Sequence, residues 1–482
     1  MNRIIIHRHW VKRIVSILLF ALLLYSLLWL VNRTLIMKRT DGIAPIQNLY
    51  AQDDNTIDVL LMGSSKCGMN LDTEILWEQY GISSYLLWGS KQPYWNTYYN
   101  LRETLKTQHP KVVVLDTYAA TFDFEYLDES RQVVNVCGMD FSWNKLNAIR
   151  VSAPKERWLT LLLGLPSYHT RYNELIADDF QHYPWTETLK NQKGGFRVYG
   201  TNTPEMTDPT GITEVATIYP KQEEYLRKII SLCQEENIEL MLISTPGNAD
   251  ERAAIQPYFN AVQQIAEEYE LPYYNFNIMD DETGFTAGCY YVDNGHMNTK
   301  GTQLLSQYLG NLLKENYDLE DHRGDPSYDS WNKSSINLQN QYLTLITDEK
   351  DYYEQLDKSD RSVFLIKNTA GRITNPALLQ WMNHLGIDLD ALQSGGTGAW
   401  FIDSTVNKTQ LENCGNSDVY QFEYDGIAFT ADLTNKSVQA GGYSLPLDNY
   451  EVICIVYDAN THAQINAICY QEGNGFVFTK VA

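Results

Sequence analysis

Three residue types that can divide one acyl-transfer reaction among themselves stand at two widely separated points of this 482-residue chain. Gly63-Ser64-Ser65 directly follows the apolar run 57–62 (IDVLLM), and Asp293-Asn294-Gly295-His296 precedes a stretch whose leucines recur with helical spacing: Leu304, Leu305, Leu309, Leu312 and Leu313. A serine hydroxyl is a poor nucleophile until a base within hydrogen-bond reach takes its proton, and the imidazole that serves needs an acceptor to fix its tautomer. An aspartate three residues before a histidine can be that acceptor. The expected roles are therefore Ser65 as nucleophile, His296 as general base and then acid, and Asp293 as orienting group. A serine in a strand-to-helix turn also lies near helix N-terminal amides, which can face a developing oxyanion. Alone, each motif has a plainer reading: G-S-S is an ordinary turn, and a histidine before a helix caps it or sits in solvent.

The elements that must position these groups follow a regular pattern. Compact apolar runs at 57–62, 84–88 (SYLLW), 112–115 (VVVL) and 239–244 (ELMLIS), with a shorter one at 272–276, are separated by helix-like stretches. Runs this apolar suit parallel strands covered on both faces, so 55–320 is expected to be an open α/β sheet. In such a sheet both motifs emerge at carboxyl ends of strands, where these folds place their sites. An insertion at 121–220, rich in aromatics such as Trp143, Trp158, Tyr172 and Trp185, interrupts it. It reads equally as a lid or as a helical packing layer. Residues 321–340 turn polar, as a linker would, and 341–482 reads as a smaller C-terminal α+β domain. There Asn375-Pro376 opens a helix that Gly386 closes, followed by strands near Trp400, 420–424, 450–457 and 464–470.

Residues 14–31 (IVSILLFALLLYSLLWLV) are eighteen uncharged residues, long enough as a helix to run roughly 27 Å. With no small-residue cleavage site after them, they read as an uncleaved transmembrane anchor rather than a signal peptide. Arg3, Arg8, Lys12 and Arg13 precede the anchor, so the tail 1–13 is expected in the cytoplasm and the body outside, with a polar stalk at 38–54 between them. The formal charge of −23 is carried wholly by the body, since residues 1–39 contain seven Lys/Arg and no acid. An acidic body repels phosphate polymers, which argues against nucleic acid as a partner. Seven cysteines lie scattered with no zinc-ligand spacing, so neither a metal nor another cofactor is expected. Cys454 and Cys469, in runs flanking a turn at 458–462, could pair across adjacent strands or remain buried thiols.

The combination of G-x-S after the first core strand with D-x-x-H before the last core helix resembles the SGNH/GDSL hydrolase superfamily over residues 55–316. The resemblance implies a flavodoxin-like, three-layer parallel sheet. It also implies an oxyanion hole built from the backbone N–H groups of Ser65 and of Gly89, in Leu87-Trp88-Gly89-Ser90. The superfamily's third block, G-x-N-D, is missing: Asp116-Thr117-Tyr118 follows 112–115, so Gln92 or Asn96 is the expected substitute for its asparagine donor. His169 is a weaker substrate candidate from the insertion. G-S-S, a degenerate third block and an anchor look like the envelope branch that includes DltD-like and alginate-acetylation-type proteins. Those proteins resemble partners of a membrane-bound O-acyltransferase acting on extracellular polysaccharide. Transfer onto a cell-surface polysaccharide, deacylation of such a polymer, and a non-catalytic assembly or glycan-binding role are the three readings this leaves. The C-terminal domain resembles the interleukin-like EMT inducer type through 424–427 and 451–458, which implies a binding or scaffold module.

Overall fold

A computed structural model describes residues 2–36, 41–180, 183–202, 207–247, 251–285, 290–293, 295–357, 361–368, 371–387, 390, 396–403, 408–414, 418–424, 427–440, 443–447, 450–459, 463–471 and 475–479. The chain divides into two compact units, Met1–Phe196 with Gly200–Ser335, and Arg197–Tyr199 with Ile336–Ala482.

The first unit is built on strands β1 (Val59–Gly63), β2 (Ser84–Trp88), β3 (Val112–Asp116), β4 (Glu239–Ser244) and β5 (Tyr273–Asn275), all parallel, in the order β2-β1-β3-β4-β5. Side chains alternate across a pleated strand, so this run of apolar residues serves two faces at once. Leu60, Met62, Val113, Leu115, Leu240 and Leu242 point to one layer, where they meet α5 (Tyr94–Thr104), α11 (Pro220–Glu235) and α12 (Arg252–Glu268). Val59, Leu61, Val112, Val114, Met241 and Ile243 point to the other, against α3 (Ser65–Asn70), α4 (Thr73–Tyr80) and α14 (Thr299–Asn316). The central strands are almost wholly removed from water. The α/β expectation therefore holds for this unit as a mixed helix and parallel-sheet architecture.

Before the sheet, α1 (Asn2–Leu35) carries the long apolar stretch, and its surface from Trp10 to Leu28 is exposed. It is long and apolar enough to cross a bilayer. Residues 41–54 are not the expected polar stalk. Helix α2 (Ile43–Leu49) buries Ile43, Ile46 and Leu49 at three-residue spacing, and the Gly42 N–H bonds the Trp88 carbonyl at 2.8 Å. Residues 37–40 lie outside the described part. The linker expected at 321–340 does contain the boundary between the two units, at Ser335/Ile336, but it is packed and partly helical rather than an open connection. His322 pairs with Asp58 at 2.8 Å, and Trp331, at 2% exposure, donates to the Ser84 carbonyl at 3.0 Å. Its sparse aromatics, spaced along a helix, outweigh its polar composition.

The insertion holds α6 (Glu129–Val136), α7 (Trp143–Ser152), α8 (Trp158–Leu163), α9 (Leu165–Tyr168) and α10 (Glu187–Lys190). Val133, Val136, Ile149, Leu161 and Tyr168 form a small core with Ile36 and Ile43. Much of the insertion is thus a packing layer around the end of α1.

In the second unit, the part of α15 (Asp329–Leu345) from Ile336 onward and α16 (Glu349–Asp357) lead into a six-stranded antiparallel sheet. Its central strands are β6 (Arg361–Lys367), β7 (Gly398–Asp403) and β13 (Val452–Asp458). Asn375 caps α17 (Pro376–His384) through the Leu378 N–H at 2.9 Å, and Gly386 follows in a left-handed conformation (φ 76°). A four-stranded antiparallel sheet, led by β9 (Val419–Tyr424) and β10 (Ile427–Asp432), shares a core with one face of the larger sheet. The helices cover its other face. Cys454 points into the helical core and Cys469 into the inter-sheet core, so the two thiols lie on opposite faces of the sheet and do not pair with each other. Antiparallel pairing sets Cys469 opposite Ile453, one register step short of a disulfide partner.

Candidate active site

Ser65 is delivered by a turn with no room for larger residues. A Cβ on Gly63 would stand 2.8 Å from the Cys67 Cβ and 2.9 Å from that of Asp116, and one on Gly68 would enter the Trp88 ring at 2.0 Å. Both glycines let α3 begin immediately at the end of β1 and lie close against β2 and β3. Ser64 is the N-cap, its hydroxyl accepting from the Lys66 N–H at 3.3 Å. Ser65 thus sits at the carboxyl edge of the first strand.

The histidine loop is closed by its own backbone. Tyr291 and Met297 form a β-bridge, the Val292 N–H bonds the His296 carbonyl at 2.9 Å, and Asn298 caps α14 through the Gly301 N–H at 3.0 Å. The Met297 N–H donates to Asn70 Oδ1 at 3.1 Å, which ties this loop to the end of α3. Asp293 Oδ1 accepts the N–H groups of Gly295 and His296, each at 2.7 Å. The outcome is a connected triad: His296 Nε2 lies 3.2 Å from Ser65 Oγ, and His296 Nδ1 lies 2.9 Å from Asp293 Oδ2. With the Nδ1 proton directed to the carboxylate, Nε2 is left to accept the serine proton, as a general base requires. Partial burial pushes the Asp293 carboxyl up, but hydrogen bonds from the His296 ring and the Gly295 and His296 amides outweigh it and hold the group below the usual carboxylate range.

Two further residues belong to the site and have no signature in the sequence. Lys66, buried at 2% exposure, donates its ammonium to the Gly295 carbonyl and lies 5.2 Å from the centre of the Tyr118 ring. It joins the nucleophile helix to the triad loop. Burial pulls its pKa down to about 8, with Asp116, Asp293 and Glu251 opposing the shift. Asp116, where the resemblance leads one to expect the G-x-N-D block, accepts from the Thr245 hydroxyl at 2.8 Å and the Thr245 and Tyr118 amides at 3.1 and 3.2 Å. Burial raises it to about 6 despite those bonds.

The other expected site residues fare differently. The Gly89 N–H makes a long, 3.4 Å bond to the Gly63 carbonyl. A Cβ on Gly89 would stand 2.9 Å from Gln92 Oε1, so Gln92 lies directly beside this turn. Its amide donates to Thr97 Oγ1 at 3.0 Å and accepts from Asn100 at 2.9 Å. Asn96 is turned into the insertion, where it donates to Ser152 Oγ at 3.0 Å. His169 is exposed, and its Nδ1 lies 3.1 Å from the Pro166 carbonyl oxygen, in the part of the insertion packed on α1. Among the described residues no cluster of three or more His, Cys, Asp or Glu side chains is placed to hold a metal ion.

No protein-family model matches the chain, and no curated protein matches it either. What the geometry shows is the hydrogen-bonded series Ser65 Oγ, His296 and Asp293 at the carboxyl edge of the parallel sheet.

Proposed function

We propose that this chain is a membrane-anchored SGNH-type serine acyltransferase that O-acylates a cell-envelope polysaccharide outside the cell through an acyl-Ser65 intermediate. The observation that carries the reading is the continuous hydrogen-bond path Ser65–His296–Asp293, at 3.2 and 2.9 Å, linking residues 231 positions apart. The strand order β2-β1-β3-β4-β5 is the flavodoxin-like order and supports the superfamily assignment. Helix α1 supports an anchored enzyme, with the tail cytoplasmic by its positive charges.

Ser65 Oγ attacks the acyl carbon of a donor, held in this proposal by a membrane-bound O-acyltransferase, as His296 Nε2 takes its proton. Collapse of the tetrahedral intermediate expels the donor's leaving group, which receives that proton. A sugar hydroxyl then loses its proton to His296 and attacks the acyl-enzyme, and Ser65 Oγ leaves with the proton returned. Asp293 stabilises the imidazolium in both halves. Gln92, expected to supplement the oxyanion donors, turns its Oε1 toward Gly89 and spends its amide N–H on Thr97, so in this arrangement the oxyanion is left to backbone N–H groups. The C-terminal unit serves as a binding or scaffold module.

A second reading has its own support: the Asp293 side chain is 55% exposed and that of His296 27%, which leaves the base open to water and favours an esterase. Isotope-labelled acetyl ester offered with an acceptor oligosaccharide separates the two. Label on the oligosaccharide, lost in Ser65→Ala, is the expected result; free acetate alone supports the esterase.

A further inference from the structure

Around the outer end of α1 the insertion exposes more apolar surface than a water-facing layer would. Leu159 and Leu163 on α8, Tyr172, Ile176, Phe180 and Trp185 are each between 51% and 71% exposed. Helix α8, WLTLLL, is apolar on both sides: Leu161 faces the small core beside α1 while Leu159 and Leu163 face out. A helix apolar all round is not built for water.

The height of this surface follows from its attachment. Burial on α1 begins at Trp29, and everything from Trp10 to Leu28 is exposed, about the length that crosses a hydrocarbon core. Trp29 lies 5.8 Å from Trp185, itself stacked on Tyr183 at 4.9 Å, and the Arg33 guanidinium sits 5.6 Å from the Trp29 ring centre. Aromatic rings with a cation behind them mark the level where hydrocarbon gives way to headgroups. The insertion is fastened at this level and just above it. Tyr168 bonds Asn32, Thr34 Oγ1 lies 2.9 Å from the Tyr183 hydroxyl, and Arg171 donates to the Leu35 carbonyl at 2.9 Å while paired with Asp179 at 3.0 Å.

From these positions we infer that residues 158–180 and 183–185 form a collar that rests in the headgroup and upper acyl region of the same leaflet that α1 leaves, holding the body at a set height and orientation above the bilayer. The occupant of the apolar patch is lipid, because the patch is continuous with the lipid-facing surface of α1 and lies at its rim. A collar anchored both by a span and by an interfacial face keeps Ser65 at a fixed distance from the membrane, as an enzyme served by a donor in that membrane needs. The inference rests on α1 spanning the bilayer.

The full-length chain in phosphatidylcholine/phosphatidylglycerol vesicles, with a photoreactive diazirine high on the lipid acyl chain, tests both statements at once. Adducts mapped by mass spectrometry are expected on α1 and on Leu159, Leu163, Ile176 and Phe180, but not on Phe141 or Trp143, which are exposed to 59% and 77%. The collar adducts should disappear in a Leu159→Glu/Leu163→Glu variant that still labels on α1. Adducts on α1 with none on the collar overturn the collar. Adducts absent from α1 overturn the anchor and the collar with it.

Discussion

The proton path through His296 depends on a loop closed by its own backbone, and Asn70 and Lys66 tie that loop to the helix that carries Ser65. Replacing His296 by Ala removes the base and is expected to slow acylation of Ser65 by about 10²–10⁴-fold, measured as the rate of single-turnover labelling. Lys66→Met leaves the triad chemically intact but removes the donor to the Gly295 carbonyl. A displaced imidazole costs up to about 10²-fold, so slower labelling with an unchanged Asp293 is the expected outcome, partly restored by Lys66→Arg. The buried pair also shapes stability. Lys66 titrates near 8 in the fold, below its ordinary 10.5, so between those values the unfolded chain binds more protons and stability rises with pH. Asp116 has the opposite sign: its folded value of about 6 exceeds 3.8, so its contribution is full below pH 4 and is lost as pH rises through 6. The Tm advantage of Asp116→Asn over wild type should therefore grow from pH 4 to pH 7, and a constant difference would dismiss this account of Asp116.

At the scale of the element, the strand-to-helix turn and the central strands were legible because their demands are local. An apolar run ending in Gly-Ser-Ser can be read along the chain, and so can Asn298 before the leucine-rich α14. Burial of single polar residues was not legible: nothing local shows that Lys66 and Asp116 lie inside. The segments at 41–54 and 321–340 misled for a related reason, since three apolar residues on a short helix or one buried tryptophan outweigh a polar majority only once the partner surface exists. The close approach of α3 to β2 makes a sharp prediction. Gly68→Ala must push the helix off the Trp88 ring, and is expected to destabilise by about 1–3 kcal/mol, by the usual cost of overpacking, with loss of Ser65 labelling before unfolding. In the second unit, Cys454 and Cys469 face different cores, and peptide mapping of the unreduced protein should find no disulfide between them.

For the molecule as a whole, the sequence resolved an apolar N-terminal helix, a parallel α/β body and a smaller antiparallel-sheet unit. The place of the insertion was out of reach, because its contacts with the end of α1 join residues about 135 to 150 positions apart. The insertion is fastened to the anchor at one end and also reaches the site, where Asn135 donates to the Ser90 carbonyl at 3.0 Å and Asn202 bridges Tyr291 beside the His296 loop. The central claim is that Ser65 becomes acylated, and labelling of the full-length protein with a fluorophosphonate, followed by peptide mapping, tests it most directly. The account predicts one adduct on Ser65, absent in Ser65→Ala and strongly slowed in His296→Ala. A folded wild-type protein that takes no adduct at Ser65, or labels equally without His296, would contradict it.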